Sequence, residues 1–305
     1  MSAPRFPARD GVPASRLQLP PGPWATVFEA LVARFPRIPA EVWRGRIASG
    51  GVLDADGRPI TLRTPYRLGA EIGYYREVAD EPAITAAEHI LHADADLVVA
   101  DKPHGLPVAP TGAFVTQTLL TRLIRRLDNP ALVPLHRIDR ATAGLVLFSA
   151  NPATRARYQA LLREARIDKT YEATAPALPD LALPHVRRSR LERGTPFFRM
   201  REVDGAPNSE TRIDVIAGDG PLWRYRLKPV SGRKHQLRVH MAALGAPILH
   251  DPWYPVPGDE GADDPTRPLQ LLARSLAFDD PLDGRPRRFD SSLRLLPLSR
   301  DQRAD

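Results

Sequence analysis

The chain has 305 residues, with 43 Lys and Arg against 36 Asp and Glu, a formal net charge of +7. Its 43% hydrophobic and 26% charged residues are ordinary globular usage, which excludes wholesale disorder and leaves length for one or two domains. Cysteine is absent, which excludes disulfide scaffolds, Cys-ligated zinc, iron–sulfur clusters and thiol nucleophiles. No run reaches the ~18 apolar residues of a membrane span, and the start, MSAPRFPARDG, lacks an apolar signal-peptide core. The expectation is a cytoplasmic protein with no membrane association. Lysine occurs only at Lys102, Lys169, Lys228 and Lys234. The positive charge is therefore mostly arginine, whose planar fork grips phosphate and stacks on bases.

Residues 1–22 are rich in Pro and Gly without periodicity and read as a flexible arm. Trp24–Phe35 places Val27, Leu31 and Phe35 at helical spacing, and a second helix is expected over Pro39–Ile47, ended by Ser49-Gly50-Gly51. Val52-Leu53 and Ile60–Leu62 read as short strands around Asp56-Gly57, and Pro65–Tyr75 leads into another. Residues 23–82 thus form a small helix–helix–β module. After a linker over Ala83–Glu88, the apolar run Leu97–Ala100 predicts a buried strand, Thr118–Leu127 a helix, and Leu145–Phe148 a second buried strand. A helix follows Asn151-Pro152 and ends near Arg166. Strands are expected over Lys169–Ala175, Thr211–Ile216, Trp223–Pro229, Leu269–Phe278 and Ser291–Leu296. A helix is expected from Gly232 to Leu244, and a Pro/Gly/Asp loop over 256–267. Residues 88–300 therefore read as a strand-rich α+β domain.

Three clusters carry candidate chemistry. In LHRIDRATAG (135–144), Asp139 lies among Arg137 and Arg140, and neighbouring guanidinium groups favour an ionised carboxylate. Such a group can act as a nucleophile or simply close a turn. His136 and Asp139 also invite a metal, but no local His/Glu pair completes a ligand set. In RIDKTYEA (166–173), Lys169 and Tyr171 share one strand face, and the tyrosine could stack on a base, accept a proton, or only fill a half-buried position. In the segment 231–254, Arg233 stands near a helix start, while His235 and His240 are five apart and do not share a helix face as a metal pair would. Residues 177–201 add six arginines, Arg187 and Arg188 among them, and the pair Phe197-Phe198.

In order and spacing, these clusters resemble the RluA family of pseudouridine synthases. Its HRLDRxTSG pattern corresponds to His136–Gly144, its KxYxA to Lys169–Ala173, and its GRTHQIRVHLAxxGxPIxGDxxY to Gly232–Tyr254. Asp101-Lys102-Pro103 with Gly105–Val108 is similar to the family's DKPxGLxV segment. Departures are Ile138, Ala143, Lys234 and His250, together with Leu271-Leu272-Ala273 for LHA. Residues 23–82 more loosely resemble a ribosomal S-four-type RNA-binding fold.

The resemblance implies an α+β catalytic domain with a mixed, mainly antiparallel central sheet flanked by helices, preceded by a small α/β RNA-binding module. It implies isomerisation of specific uridines in structured rRNA or tRNA, without cofactor or metal, by a monomer whose partner is RNA. The alternative is a catalytically silent RNA-binding protein on the same scaffold. By the resemblance, Asp139 is the catalytic carboxylate, attacking the base or the sugar or helping to expel the base, a choice the sequence leaves open. Arg233 is expected to pair with Asp139 and aim it, and Tyr171 to stack on the uracil and assist proton removal. Leu271 is expected to line the base pocket. The target must be flipped out of its stack, and Arg137 is the candidate to fill the gap. His136, Arg140 and Lys169 are expected to contact substrate, with Arg187, Arg188 and the N-terminal module clamping phosphates.

Overall fold

In the computed structural model, which describes residues 6–78, 80–218, 220–256 and 264–298, Thr26 opens the first helix, α1 (Val27–Arg34). Its hydroxyl accepts from the Glu29 N–H at 3.2 Å, and the Glu29 carboxylate accepts from the Thr26 N–H at 3.2 Å, a reciprocal capping box. The helix buries Val27, Ala30 and Leu31 against Trp43 and Ile47 of α2 (Ala40–Ala48). Strands β1 (Ser15–Gln18), β2 (Val52–Leu53) and β3 (Glu71–Tyr74) form an antiparallel sheet in the order β1-β3-β2. The described residues divide into two compact units. One holds those up to Ala83 together with Ala109–Ala131, including α3 (Leu119–Leu127), capped by the Thr118 hydroxyl. The other holds Ile84–Val108 and the described residues from Leu132 on.

The flexible arm expected over 1–22 is corrected from residue 6 onward. Ser15–Gln18 pairs with Tyr74–Glu71, and Phe6, Val12 and Leu19 are buried. The pairing uses backbone groups, so composition did not reveal it, while the buried side chains supply the apolar contact. Residues 1–5 lie outside the described residues. The strand expected over 60–62 does not form, and what remains is a bridge from Pro59 to Leu53 with the Ile60 N–H donating to the Val52 carbonyl at 3.0 Å.

The second unit is built on a sheet of eleven strands among the described residues. Its strands are β4 (His89–Ala93), β5 (Leu97–Lys102), β6 (Val133–Pro134), β7 (Ala143–Ser149), β8 (Asp168–Pro176), β9 (His185–Arg193), β10 (Met200–Val203), β11 (Ser209–Ala217), β12 (Leu222–Pro229), β13 (Leu271–Asp279) and β14 (Pro286–Asp290). The main path runs β10-β9-β11-β12-β8-β13-β7-β5-β4, with β14 on β13 and β6 on β7. Among the described residues, β13 with β7 is the parallel pair and the other pairs of this sheet are antiparallel. This is the mixed, mainly antiparallel α+β architecture expected.

Helix α4 (Arg155–Arg163) lays Tyr158 and Leu161 on Leu97, Leu145, Leu147 and Phe278. Helix α5 (Gln236–Ala243) lays Leu237 and Met241 on Ala173, Tyr225, Leu227 and Leu271. These two apolar layers place the segments that flank the site. The last strand lies over 286–290, not 291–296 as expected, because the Ser291 hydroxyl and the Ser292 hydroxyl and amide turn to the buried Asp101 carboxylate. Gly144 has φ +109°, and a Cβ there would lie 2.3 Å from the Ala273 carbonyl oxygen. The β7–β13 crossing therefore requires glycine.

Candidate active site

Helix α5 starts late. The Gln236 side-chain oxygen accepts from the Arg233 N–H at 3.1 Å and the Ser231 hydroxyl at 2.7 Å, while its amide donates to the Glu210 carbonyl and Thr211 hydroxyl. This holds residues 232–235 as a turn, with His235 left-handed at φ 54°. The helix then directs Leu237 and Met241 into the core and leaves Arg238 beside them, with a side chain only 1% exposed.

A buried guanidinium needs acceptors, and Arg238 has three. Its Nε and Nη2 donate to the Asp251 carboxylate at 2.7 and 2.6 Å, and its Nη1 donates to Asp139 Oδ2 at 3.3 Å. Asp251 is itself fixed by the Trp253 and Tyr254 amides, at 2.9 and 3.2 Å. Trp253 and Tyr254 set their rings 4.8 and 5.3 Å from the guanidinium carbon. Burial opposes the Arg238 charge, but the Asp251 bonds and charge, and then Asp139, outweigh it and hold the group firmly protonated.

Asp139 belongs to the loop before β7, and its carbonyl accepts from the Thr142 N–H at 3.1 Å. The loop is braced from behind by the Asp101-Lys102-Pro103 segment. Lys102 Nζ and the Gly105 N–H both donate to the Arg140 carbonyl at 3.0 Å, and the His104 ring donates to the Ala141 carbonyl at 2.7 Å. The Asp139 side chain stays 28% exposed, so a ligand can reach it. His235 Nε2 stands 3.8 Å from Asp139 Oδ1. Its Nδ1 meets the Tyr254 hydroxyl at 2.9 Å, and that hydroxyl already accepts from the Met200 N–H. This arrangement suits a hydroxyl proton given to Nδ1, the tautomer that turns the Nε2 proton toward Asp139. Burial above all pushes His235 down to about 4, so it is neutral near pH 7.

Tyr171 projects from β8 onto the apolar layer under α5, on the strand face shared with Ala173 and, by register, Leu271. Burial, and after it the Asp139 charge, push its hydroxyl well above the usual tyrosine range. The phenol is protonated near pH 7.

The structure thus brings together Asp139 and Tyr171, with Leu271 in the apolar layer below. It does not bring Arg233. That side chain is exposed and donates to the Asn208 carbonyl at 3.0 Å. The expected Asp139–Arg233 pair is corrected to Asp139–Arg238, because the turn points Arg233 outward and the helix begins three residues later.

His136 Nε2 accepts from the Leu147 N–H at 3.1 Å and so braces the loop. Burial first, and the Lys169 charge second, push it down to about 4. Lys169 stands by the Gly232 turn, its own pKa lowered by burial. Arg137 is exposed, and among the described residues it makes no hydrogen bond or ion pair. Arg140 serves the loop through its backbone carbonyl.

Arg187 is held bidentately by Glu202, and Arg188 Nε donates to Glu210 at 2.8 Å. Both phosphate clamps expected from sequence are thus engaged by carboxylates of neighbouring strands. The residues missed were Arg238, Asp251, His235, Trp253 and Tyr254. All five lie within the Gly232–Tyr254 motif, and for Arg238 a further signal was a charge flanked by Leu237 and Val239 inside an apolar helix, where it needs a buried partner.

The fold of this chain has counterparts among RNA pseudouridylate synthases. Human RNA pseudouridylate synthase domain containing 1 superposes with a TM-score of 0.55 at 26% identity, covering 70% of this chain and 86% of that one. The profile of the family described as RNA pseudouridylate synthase matches residues 96–243. An uncharacterized RNA pseudouridine synthase of Synechocystis is 30% identical over 220 residues, 70% of this chain and 74% of that protein. The dual-specificity RNA pseudouridine synthase RluA of Yersinia pestis is 31% identical over 209 residues, 66% of this chain and 96% of that protein. The chain belongs to the RluA family of RNA pseudouridine synthases and is an isomerase. No helix among the described residues is long and apolar enough to cross a membrane.

Proposed function

We propose that this enzyme converts uridines of structured rRNA or tRNA to pseudouridine with Asp139 as its catalytic carboxylate, acting in the cytoplasm as a monomer. The reaction breaks the bond from uracil nitrogen to ribose, turns the base, and joins carbon 5 of uracil to the same ribose carbon. Carbon 5 loses a proton and the freed ring nitrogen ends protonated, so no redox step is involved.

The observation that carries this reading is the chain Asp251–Arg238–Asp139. A carboxylate fixed by a buried guanidinium, yet partly open to solvent, is placed to act on a base or sugar brought to it. Asp139 either attacks or stabilises the sugar as the base departs. Tyr171 supplies the stacking surface. Because its phenol is held protonated, it assists removal of the carbon 5 proton only by taking that proton as it hands its own to the neighbouring Asp139 carboxylate, free again once the new bond to ribose has formed.

A uridine within a folded RNA has to be extruded, at a few kcal/mol and least in loops. Arg137, exposed two residues from Asp139, fills the vacated stack. Lys169 contacts the substrate beside the Gly232 turn, and Leu271 backs the base pocket. The N-terminal unit acts as an S-four-type RNA-binding module, a reading supported by its α1–α2 pair packed on a short sheet. Pseudouridine mapping of total RNA from cells with and without the protein tests the proposal. The expected result is loss of one or a few defined rRNA or tRNA pseudouridines, and an unchanged map contradicts it.

A further inference from the structure

The loop Gly194–Arg199 between β9 and β10 presents Phe197 at 76% exposure, the highest of the exposed large hydrophobic side chains among the described residues. A single exposed apolar side chain is ordinary, but this one ends a row. Its ring lies 5.7 Å from that of Phe198, Phe198 lies 5.1 Å from Trp253, and Trp253 lies 5.1 Å from His235, whose Nε2 is 3.8 Å from Asp139. The loop is pinned at several points. Lys234 Nζ donates to the Phe198 carbonyl at 2.7 Å, Arg199 Nη2 to the Pro255 carbonyl at 2.6 Å, and the Gly194 N–H to the Arg199 carbonyl at 3.0 Å. Two cations stand by the row: Lys234, and exposed Arg193, whose charge acts on Lys234 and whose side chain makes no hydrogen bond or ion pair among the described residues.

A rigid, solvent-facing ring joined by an aromatic row to the reacting carboxylate, with cations alongside, is the combination that holds single-stranded RNA. We propose that Phe197 is the stacking seat for an unpaired base flanking the target uridine, with Arg193 and Lys234 holding the adjoining phosphates. The inference rests on the reading that Asp139 is where RNA reacts. It adds a site that selects for an unpaired neighbour, because a paired base has no free face to offer.

The test uses the full chain with Phe197→Ala, Phe197→Trp and Arg193→Gln. The probes are a fluorescent RNA of about 12 uridines, read by anisotropy, and total RNA tritiated at carbon 5 of uracil, read by tritium release. Phe197→Ala is expected to weaken binding roughly 5- to 100-fold, the range of one base stack, and to raise KM with kcat unchanged. Phe197→Trp restores both to within about threefold. The Phe197→Ala defect persists from about 50 to 200 mM salt, whereas the Arg193→Gln defect fades. Binding by Phe197→Ala within about twofold of wild type overturns the proposal, as does an equal loss in Phe197→Trp. If wild type releases tritium while Phe197→Ala keeps its KM, the stacking seat alone falls. If wild type neither binds nor releases tritium, the assignment of the site falls with it.

Discussion

Arg238 reaches Asp139 with Nη1 at 3.3 Å while its other two nitrogens are committed to Asp251 at 2.7 and 2.6 Å. Asp139 is therefore not the arginine's main partner. Asp251 fixes the guanidinium, and the guanidinium in turn presents a single aimed donor to Asp139. This explains why a member of the Asp251–Tyr254 segment, far along the chain, bears on the reacting carboxylate.

Lysine keeps the charge at this position but loses the planar fork. Arg238→Lys is expected to lower kcat about 100-fold or more, with KM for RNA little changed. Arg233→Gln, at the residue the sequence pointed to, is expected to leave kcat within about threefold, because it removes only an exposed bond to a backbone carbonyl. Single-turnover tritium release decides between them. Equal losses in the two variants contradict the arrangement described.

Tyr171→Phe keeps the stacking ring and removes the hydroxyl. A proton-relay role predicts a fall in kcat of about 100- to 10,000-fold with KM unchanged, whereas a stacking role alone predicts little change in either. Tyr171→Leu, which lacks the ring, is expected to raise KM as well. Steady-state kinetics on one defined RNA substrate separates the cases.

Much of the site was legible because its motifs are short and local. His136–Gly144 and Lys169–Ala173 each form one loop or strand, so the family resemblance they carry points to Asp139 and Tyr171 within short contiguous motifs. Arg238 could not be distinguished from Arg233 in the same way. Choosing between them requires knowing where α5 begins, and that depends on Gln236 binding Ser231, Glu210 and Thr211. Strands β9 and β10 were read only as an arginine-rich segment. Arginines on both faces of β9 hide the two-residue period, and Glu202 and Glu210 from neighbouring strands supply the compensating charge. Strand β1 was hidden for a different reason. Its pairing with β3 is non-local, and the surrounding prolines and glycines mask it.

Acid sensitivity follows from three histidines. His136, His235 and His240 are each pushed down to about 4, by burial first, against an ordinary value of 6.5. In the unfolded chain they take up protons below pH 6.5, but in the fold not until about pH 4. Unfolding therefore binds protons, and stability is lost as pH falls through that window, by up to about 3 kcal/mol for each fully buried ring. Above the window the three contribute no slope. Urea midpoints measured across the window are expected to fall with acidification, and less steeply in His240→Gln, which removes one titrating group. Equal slopes in wild type and variant contradict this.

Gly144→Ala tests the β7–β13 crossing. The added methyl would meet the Ala273 carbonyl oxygen at 2.3 Å from a backbone at φ +109°. A loss of at least about 2 kcal/mol in urea unfolding is expected, with reduced activity because Leu271 and the Asp139 loop both enter this parallel crossing at the same end. A midpoint like that of wild type means the strands part without cost there.

Asp139→Asn keeps the shape of the side chain and removes its charge, leaving Arg238 still held by Asp251. Tritium release from carbon 5–labelled RNA, measured beside RNA binding by the same preparation, bears most directly on the account. The expected result is turnover reduced below detection with Kd within about threefold of wild type. Turnover by Asp139→Asn near the wild-type rate would mean that the carboxylate presented by Arg238 is not the group that acts on uridine.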